Sequence, residues 1–411
     1  MNIDLMRKID RLAGNPLCRL AAPLAPLFQG TPKGETVVVC KFFGMGSILL
    51  SHPLLVELKG KGLDVVYLTF SGNAEVLDLM GAGHTLVIDT RSPWTFARDT
   101  FQCIWRLRRL GPACFLNLEF FSRFAALMAL ASGAPNRAGF HMVHLPVGRL
   151  YTHRANLNVY RHIADNFLNV GRAAGLIGEV RPLGEYIEAF PRPPVKSPSK
   201  DVATPFIVIN AESSSTIRML RSWTIEGWAQ VISGLREDYP DHSIVLVGTE
   251  ESAALYGELL SRLDEDAKIT ALFGRTTVPE LWDLISRASL VLSVDSGPLH
   301  LSAFLKRPTV CLFGPETPVL YGYSLPWTRT LYKGLFCSPC LALYDAKESI
   351  LNCGDNQCMK QISADEVLAA AGELLAGPAA PLPGRRSRTV LSAKIDHQKA
   401  VSPVNRLLGT H

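Results

Sequence analysis

The densest chemistry in this sequence lies in eight consecutive residues, Ser293-Val294-Asp295-Ser296-Gly297-Pro298-Leu299-His300. They follow an apolar, β-branched run and lead into Leu301, Ala303, Phe304 and Leu305, a helical pattern. Such a turn aims the amino terminus of a helix at whatever lies beyond the strand end. Backbone N–H groups and the helix dipole there attract phosphate, a serine can cap or donate, and a glycine lets the backbone come close. A pyrophosphate suits this turn. So does a plainer reading, a strand, a turn and a helix with Asp295 or Ser296 as N-cap. His300, about one turn into the helix, reads equally as a ligand contact or as a packed core histidine.

A second cluster is Cys337-Ser338-Pro339-Cys340, followed by Cys353 and Cys358. Four thiolates can hold a tetrahedral zinc, but the second pair lacks the two-residue knuckle spacing. The expectation is therefore no metal at Cys337, Cys340, Cys353 and Cys358, with reduced thiols or a redox-sensitive cluster as the readings left open. Toward the amino terminus lie Asn117-Leu118-Glu119-Phe120-Phe121-Ser122-Arg123 at a strand end and a basic, aromatic helix from Trp94 through Phe101, Trp105, Arg106, Arg108 and Arg109. Those arginines suit acceptor phosphates or lipid headgroups, or simply a solvated helix face.

The elements that position these residues alternate. Short β-branched runs at Val37–Cys40, Val65–Leu68, Leu86–Ile88 and Cys114–Leu116 are separated by segments of helical length. A second series follows at Phe206–Ile209, Ile244–Val247, Ile269–Phe273, Leu290–Val294 and Thr309–Phe313. Strand and helix in alternation imply parallel sheets with right-handed crossovers, and ligands then sit beyond the carboxyl ends of the strands. Between the series, residues 191–204 are rich in Pro and Lys and read as a linker. The expected organisation is an amphipathic segment over 1–35, a first Rossmann-like α/β domain over 36–190, a second over 205–376 containing the Cys-rich segment 337–358, and a disordered tail over 377–411.

The 411 residues fit two hydrophobic cores, and with 47% apolar and 19% charged side chains the chain is globular. A formal charge of +5 is too mild to indicate nucleic acid and suits anionic phosphates or an anionic membrane face. Nine cysteines, four in buried-looking contexts (Cys40, Cys103, Cys114, Cys311), point to a reducing cytosol. Residues 3–12 place Leu5, Ile9 and Leu12 opposite Arg7, Lys8 and Arg11, a helix lying on a surface, either an anionic bilayer or the body of the protein. Pro16, Pro23 and Pro26 are expected to break the apolar stretch after it, leaving neither a spanning helix nor a signal peptide.

Three runs in order, Phe273-Gly274-Arg275-Thr276-Thr277-Val278-Pro279-Glu280-Leu281, then Asp295 to His300, then Arg307-Pro308-Thr309-Val310 with Phe313-Gly314-Pro315, resemble the donor domain of the bacterial heptosyltransferases, glycosyltransferase family 9. Looser similarity extends to Arg221-Ser222-Trp223, Val247-Gly248-Thr249-Glu250-Glu251 and the first turn, Lys41 to Ser47, so that it covers roughly residues 36–376. The resemblance implies a GT-B fold, two doubly wound Rossmann-like domains facing a cleft, with the acceptor side first and the nucleotide-sugar donor side second. It also implies inverting transfer without a metal or other cofactor. The acceptor would be a lipid-linked or lipopolysaccharide glycan, and the work would take place at the cytoplasmic face of the inner membrane. By that resemblance Arg221 meets the diphosphate, with Arg218 assisting, Glu251 or Glu250 meets the ribose, and Asp295, Ser296, Gly297 and His300 line the donor site.

The first turn departs from the family. Gly44 and Gly46 keep its glycines, but Ser47 stands where heptosyltransferases usually place the aspartate proposed as general base. Serine is no base at neutral pH, so another group supplies the base or the chemistry is altered. His52, Asp89 and Glu119 are the candidates on the acceptor side. Two rival readings stand beside the transferase: a nucleotide-sugar epimerase on the same architecture, and a non-catalytic member that binds nucleotide sugar or glycolipid for a partner.

Overall fold

A computed structural model of the chain describes residues 3–143, 145–193, 202–212, 218–263, 268–341 and 353–377. The expected tail and the middle of the linker lie outside the described residues. Six parallel strands, β1 (Val37–Cys40), β2 (Val65–Phe70), β3 (His84–Ile88), β4 (Cys114–Asn117), β5 (Asn136–Phe140) and β6 (His153–Ala155), form the first sheet in the order β3-β2-β1-β4-β5-β6. The second repeats that order with β7 (Phe206–Asn210), β8 (Ser243–Leu246), β9 (Ile269–Ala271), β10 (Leu290–Val294), β11 (Thr309–Phe313) and β12 (Thr328–Tyr332), as β12-β11-β10-β7-β8-β9. Central strands such as Val37-Val38-Val39-Cys40 and Leu290-Val291-Leu292-Ser293-Val294 are buried along their whole length, because helices cover both faces of each sheet.

In each sheet the strand order reverses beside the first strand, between β1 and β4 and between β7 and β10. Splayed loops at such a reversal leave a crevice at the carboxyl ends. Here the crevices are bordered by the turn after β1 and Glu119 on one side, and by Glu212 and the Asp295–Gly297 turn on the other.

The two sheets are joined by a dry contact. Phe190, at the end of the first domain, stacks on Trp282 at 5.3 Å and meets Phe304 at 4.9 Å and the His52 ring at 4.9 Å. A single cluster of buried apolar residues runs from the first domain through these rings into the second. Around it are a few polar links, Lys306 to Glu188 and the backbone N–H of Val278 to Glu75.

The amino-terminal helix is longer than the sequence suggests, running Ile3–Ala21 straight through Pro16. A proline inside a helix removes one backbone hydrogen bond and costs about 3 kcal/mol. Contacts made by residues ahead of it offset that cost. Asp10 accepts from the backbone N–H groups of Arg123 and Phe124 at 3.0 and 2.6 Å, and Asn15 accepts from Arg123 Nε at 3.0 Å.

Candidate functional site: a polar cluster in the cleft

The site is built from β10 outward. Ser296 follows it in extended backbone, φ −159° and ψ 176°, and its hydroxyl turns back to the strand ends rather than forward over the helix. It is held by Asn210 Nδ2 at 2.8 Å and by Val294 O at 3.1 Å. The N-cap role expected of Ser296 is therefore not taken up. The helix Gly297–Phe304 begins without a side-chain cap, and its first N–H groups keep their capacity for an anion. Across the cleft stand Met45 and Gly46 of the short helix Met45–Leu49. A Cβ on Gly297 would lie 2.5 Å from Met45 Cε, and a Cβ on Gly46 would overlap Cδ2 of His300. The glycines of the two turns are what let the domains come this close.

Arg221 lies beside the Asp295 turn. Its Nη2 meets Asp295 Oδ2 at 3.1 Å and Glu316 Oε2 at 3.3 Å, and Nη1 donates to the Asp295 carbonyl at 3.2 Å. Burial works against the charge, but the two carboxylates outweigh it and hold the guanidinium above its ordinary pKa. Its Nε–H is buried with no hydrogen-bond partner among the described residues. The loop carrying Arg221 is fastened by Asn356, whose Nδ2 donates to the carbonyls of Met219, Leu220 and Ser222, and by Trp223, which donates to Ile362 O at 3.0 Å. The side chain of Arg218 lies outside the described residues.

His300 is buried in the cluster, with Nδ1 at 2.8 Å from the Tyr323 hydroxyl. Tyr323 also faces the His162 ring of the first domain at 5.4 Å. Burial pushes His300 down to about 4, and burial followed by the like charge of His300 pushes His162 down to about 3. Both are neutral at pH 7 and act as hydrogen-bonding groups. His52 is likewise held at about 4 by burial among Phe190 and Phe304. These folded values lie below the unfolded one of about 6.5, so below it the unfolded chain takes up protons that the folded chain refuses. Stability is thus full above that pH and is lost as pH falls toward 4. The melting temperature should drop between pH 7 and pH 5, and His52→Phe should flatten that slope.

The turn after β1 is supported by a buried ion pair. Lys41 Nζ meets Glu119 Oε1 at 2.7 Å, and the same oxygen accepts from the N–H groups of Phe42 and Phe43 at 2.7 and 3.0 Å. Gly44, at φ +85°, starts the Met45–Leu49 helix, on which Ser47 is half-buried. Of the base candidates, Glu119 is thus taken up in holding the turn. Asp89 is held below its ordinary range by hydrogen bonds from Arg91, and His52 is packed into the domain joint. Glu250 and Glu251 sit exposed beyond β8, where Gly274 at φ +59° passes so close that a Cβ would lie 2.8 Å from that of Glu250.

All nine cysteines are free thiols. Cys337 and Cys353 are exposed and Cys340 half-buried. Cys358 is buried, which pushes its thiol up to about 11. Among the described residues no group of three or more His, Cys, Asp or Glu is placed to hold a metal ion. Sequence reasoning did not single out Glu212, Glu316, His162, Tyr323 or Asn356. Glu316 carried a signal, an acid directly after Phe313-Gly314-Pro315 at the end of β11.

Two doubly wound domains that meet across their switch points define the GT-B class. The match to solved structures agrees: a family 9 glycosyltransferase from Veillonella parvula (TM-score 0.66, 18% identity, 84% of this chain and 99% of that one) and ADP-heptose lipopolysaccharide heptosyltransferase II from Escherichia coli (TM-score 0.64, 18%, 84% and 99%). The model of glycosyltransferase family 9 (heptosyltransferase) matches residues 124–348, and the chain belongs to that family. Among curated proteins it is similar to lipooligosaccharide heptosyltransferase 2 of Campylobacter jejuni, 25% identical over 174 residues, which are 41% of this chain and 51% of the relative. The chain thus spans about half the length of that curated relative.

Proposed function

We propose that this protein is an inverting glycosyltransferase that moves a sugar from a nucleotide-diphosphate donor to a lipopolysaccharide or other envelope glycan acceptor at the cytoplasmic face of the inner membrane. Heptose is the sugar to test first, since the relatives' names carry it. The reading rests above all on the uncapped opening of the Gly297–Phe304 helix, placed beside Arg221 and against the Met45–Gly46 turn.

In this reading the diphosphate lies on the helix N–H groups, with the Arg221 guanidinium alongside. The acceptor hydroxyl attacks the anomeric carbon from the opposite face. The bond from that carbon to the phosphate oxygen breaks as the bond to the acceptor oxygen forms. Charge growing on the leaving phosphate is stabilised by fixed donors rather than by a metal. In an oxocarbenium-like transfer the acceptor oxygen gives up its proton to water only as the new bond completes, which lessens the need for a carboxylate at position 47. Accordingly Ser47→Ala should keep activity within about threefold of the parent, against the loss of about 10²–10⁴ that removing a working general base brings. A loss of that larger size would give Ser47 a direct part in the chemistry.

The serine at position 47 also favours a second reading, a non-catalytic member that binds nucleotide sugar for a partner. Calorimetry against ADP, GDP, UDP and dTDP sugars, followed by turnover assays over a panel of glycan acceptors, separates the two. Binding with turnover supports the transferase. Binding without turnover, and without gain in Ser47→Asp, supports the second reading.

A further inference from the structure

The helix Ile3–Ala21 is docked the wrong way round for an ordinary amphipathic helix. The face against the protein is Met6, Asp10, Gly14 and Cys18, one residue every turn, and much of its attachment is polar. Asp10 bonds the opening N–H groups of the helix Arg123–Ala131, and Gly14 lies on the Arg123 side chain, where a Cβ would come within 2.5 Å of Cβ. The leucine stripe, Leu5, Ile9, Leu12 and Leu20, points to solvent, with Leu12 74% exposed, and the chain beyond it adds Leu24 and Leu27. Burying the stripe against the body would have removed more apolar surface from water, so this orientation calls for something outside to cover it.

A second stripe lies beside the first. Along the helix Pro93–Leu110, Trp94, Arg98, Phe101, Trp105 and Arg108 share one exposed face, with Trp94 77% exposed. The chain that follows the first stripe reaches this second helix where the Arg108 guanidinium lies over the Phe28 ring, 5.8 Å from its centre, and where Lys33 Nζ reaches the Arg109 carbonyl. The chemistry of the combined face is apolar anchors and interfacial tryptophans edged by Lys8, Arg19, Arg106 and Arg109. Among the described side chains of the two helices carboxylates are few: Asp10 is turned inward and Asp99 is bonded to Arg98. No helix among the described residues is long and apolar enough to cross a membrane. We infer that this face docks the acceptor-side domain in-plane onto an anionic lipid bilayer, its leucines and tryptophans entering the headgroup boundary and its cations meeting lipid phosphates.

The inference rests on the membrane-proximal reading above only for its setting. The test uses neither donor nor acceptor, so its failure leaves the transferase reading standing. The full chain is sedimented with phosphatidylcholine vesicles with and without phosphatidylglycerol, and tryptophan emission is followed with brominated lipid. The expected result is binding to the anionic vesicles that weakens with salt, together with quenching from Trp94 and Trp105. Leu12→Glu with Leu20→Glu should cut partitioning by at least about tenfold while leaving the melting temperature unchanged, since both side chains are solvent-facing. Should that pair of changes unsettle the helix, Trp94→Ser with Phe101→Ser gives the same comparison on the second stripe. A parent protein that stays in the supernatant with anionic vesicles overturns the inference. So does a lipid-free dimer that the leucine variant abolishes, which would make the face a contact between copies of the chain.

Discussion

Arg221→Ala should both melt earlier and lose its hold on a nucleotide diphosphate. In the parent one guanidinium faces Asp295 and Glu316, the latter fully buried. Removing it takes the guanidinium away from two buried carboxylates, and breaking a buried pair in this way costs about 3–5 kcal/mol. Burial lowers that arginine's pKa, and the two acids raise it above the ordinary value. The same change removes the guanidinium bonded to Asp295 beside the Gly297–Phe304 amino terminus, and loss of one preorganised donor of developing negative charge lowers kcat about 10²–10³-fold. Arg221→Lys separates the two effects: it keeps the charge but not the planar fork, so most of the stability should return while diphosphate binding stays weak. Calorimetric titration with the four nucleotide classes and a denaturant melt read both quantities. Unaltered binding by a folded Arg221→Ala protein would place the diphosphate elsewhere.

Gly46→Ala should be nearly as damaging, through shape alone. The added methyl would enter the space of the His300 ring, which is buried and fixed by Tyr323. Overpacking of this kind costs about 1–3 kcal/mol. Neither side can yield locally, because the ring is bonded behind and the glycine belongs to a turn supported by Lys41 and Glu119. The strain is relieved by parting the domains, and a misplacement near 1 Å at the reacting centre lowers turnover about 10²-fold. The expected signature is a fall in kcat with a modest loss of melting temperature. Gly297→Ala makes a useful contrast, since its new methyl would clash with the flexible end of Met45 while Met45 Cβ and Gly46 N lie at ordinary contact distance, 3.6 and 3.8 Å. Equal effects of the two changes would count against this account.

The parts of the fold legible in the sequence were those where one physical signal dominated. Val37–Cys40, Phe206–Ile209 and Leu290–Val294 are buried on both faces, and a continuous apolar run marks such strands. β5 reads Asn-Arg-Ala-Gly-Phe and was hidden by Arg137, whose guanidinium is buried on the carbonyls of Leu150 and Ala134. β6 and β12 are edge strands, three residues long or polar, and carry little pattern. At the site, Asp295 to His300 was legible because it is contiguous. Glu316, His162, Tyr323 and Asn356 come to it from four other places in the chain, and only the folded topology brings them together. Pro16 misled because a proline stops a helix only when nothing else holds it.

The joint between the domains packs Phe190 face to face on Trp282 and edge-on to Phe304, with the Lys306–Glu188 pair and the Val278–Glu75 hydrogen bond beside it. Few polar links cross the joint to fix its angle, and the packed rings lose little contact over a small slip. Its grip is also entropic near room temperature and slackens on cooling. The mouth of the cleft should therefore be set by temperature as well as by whatever lies in it.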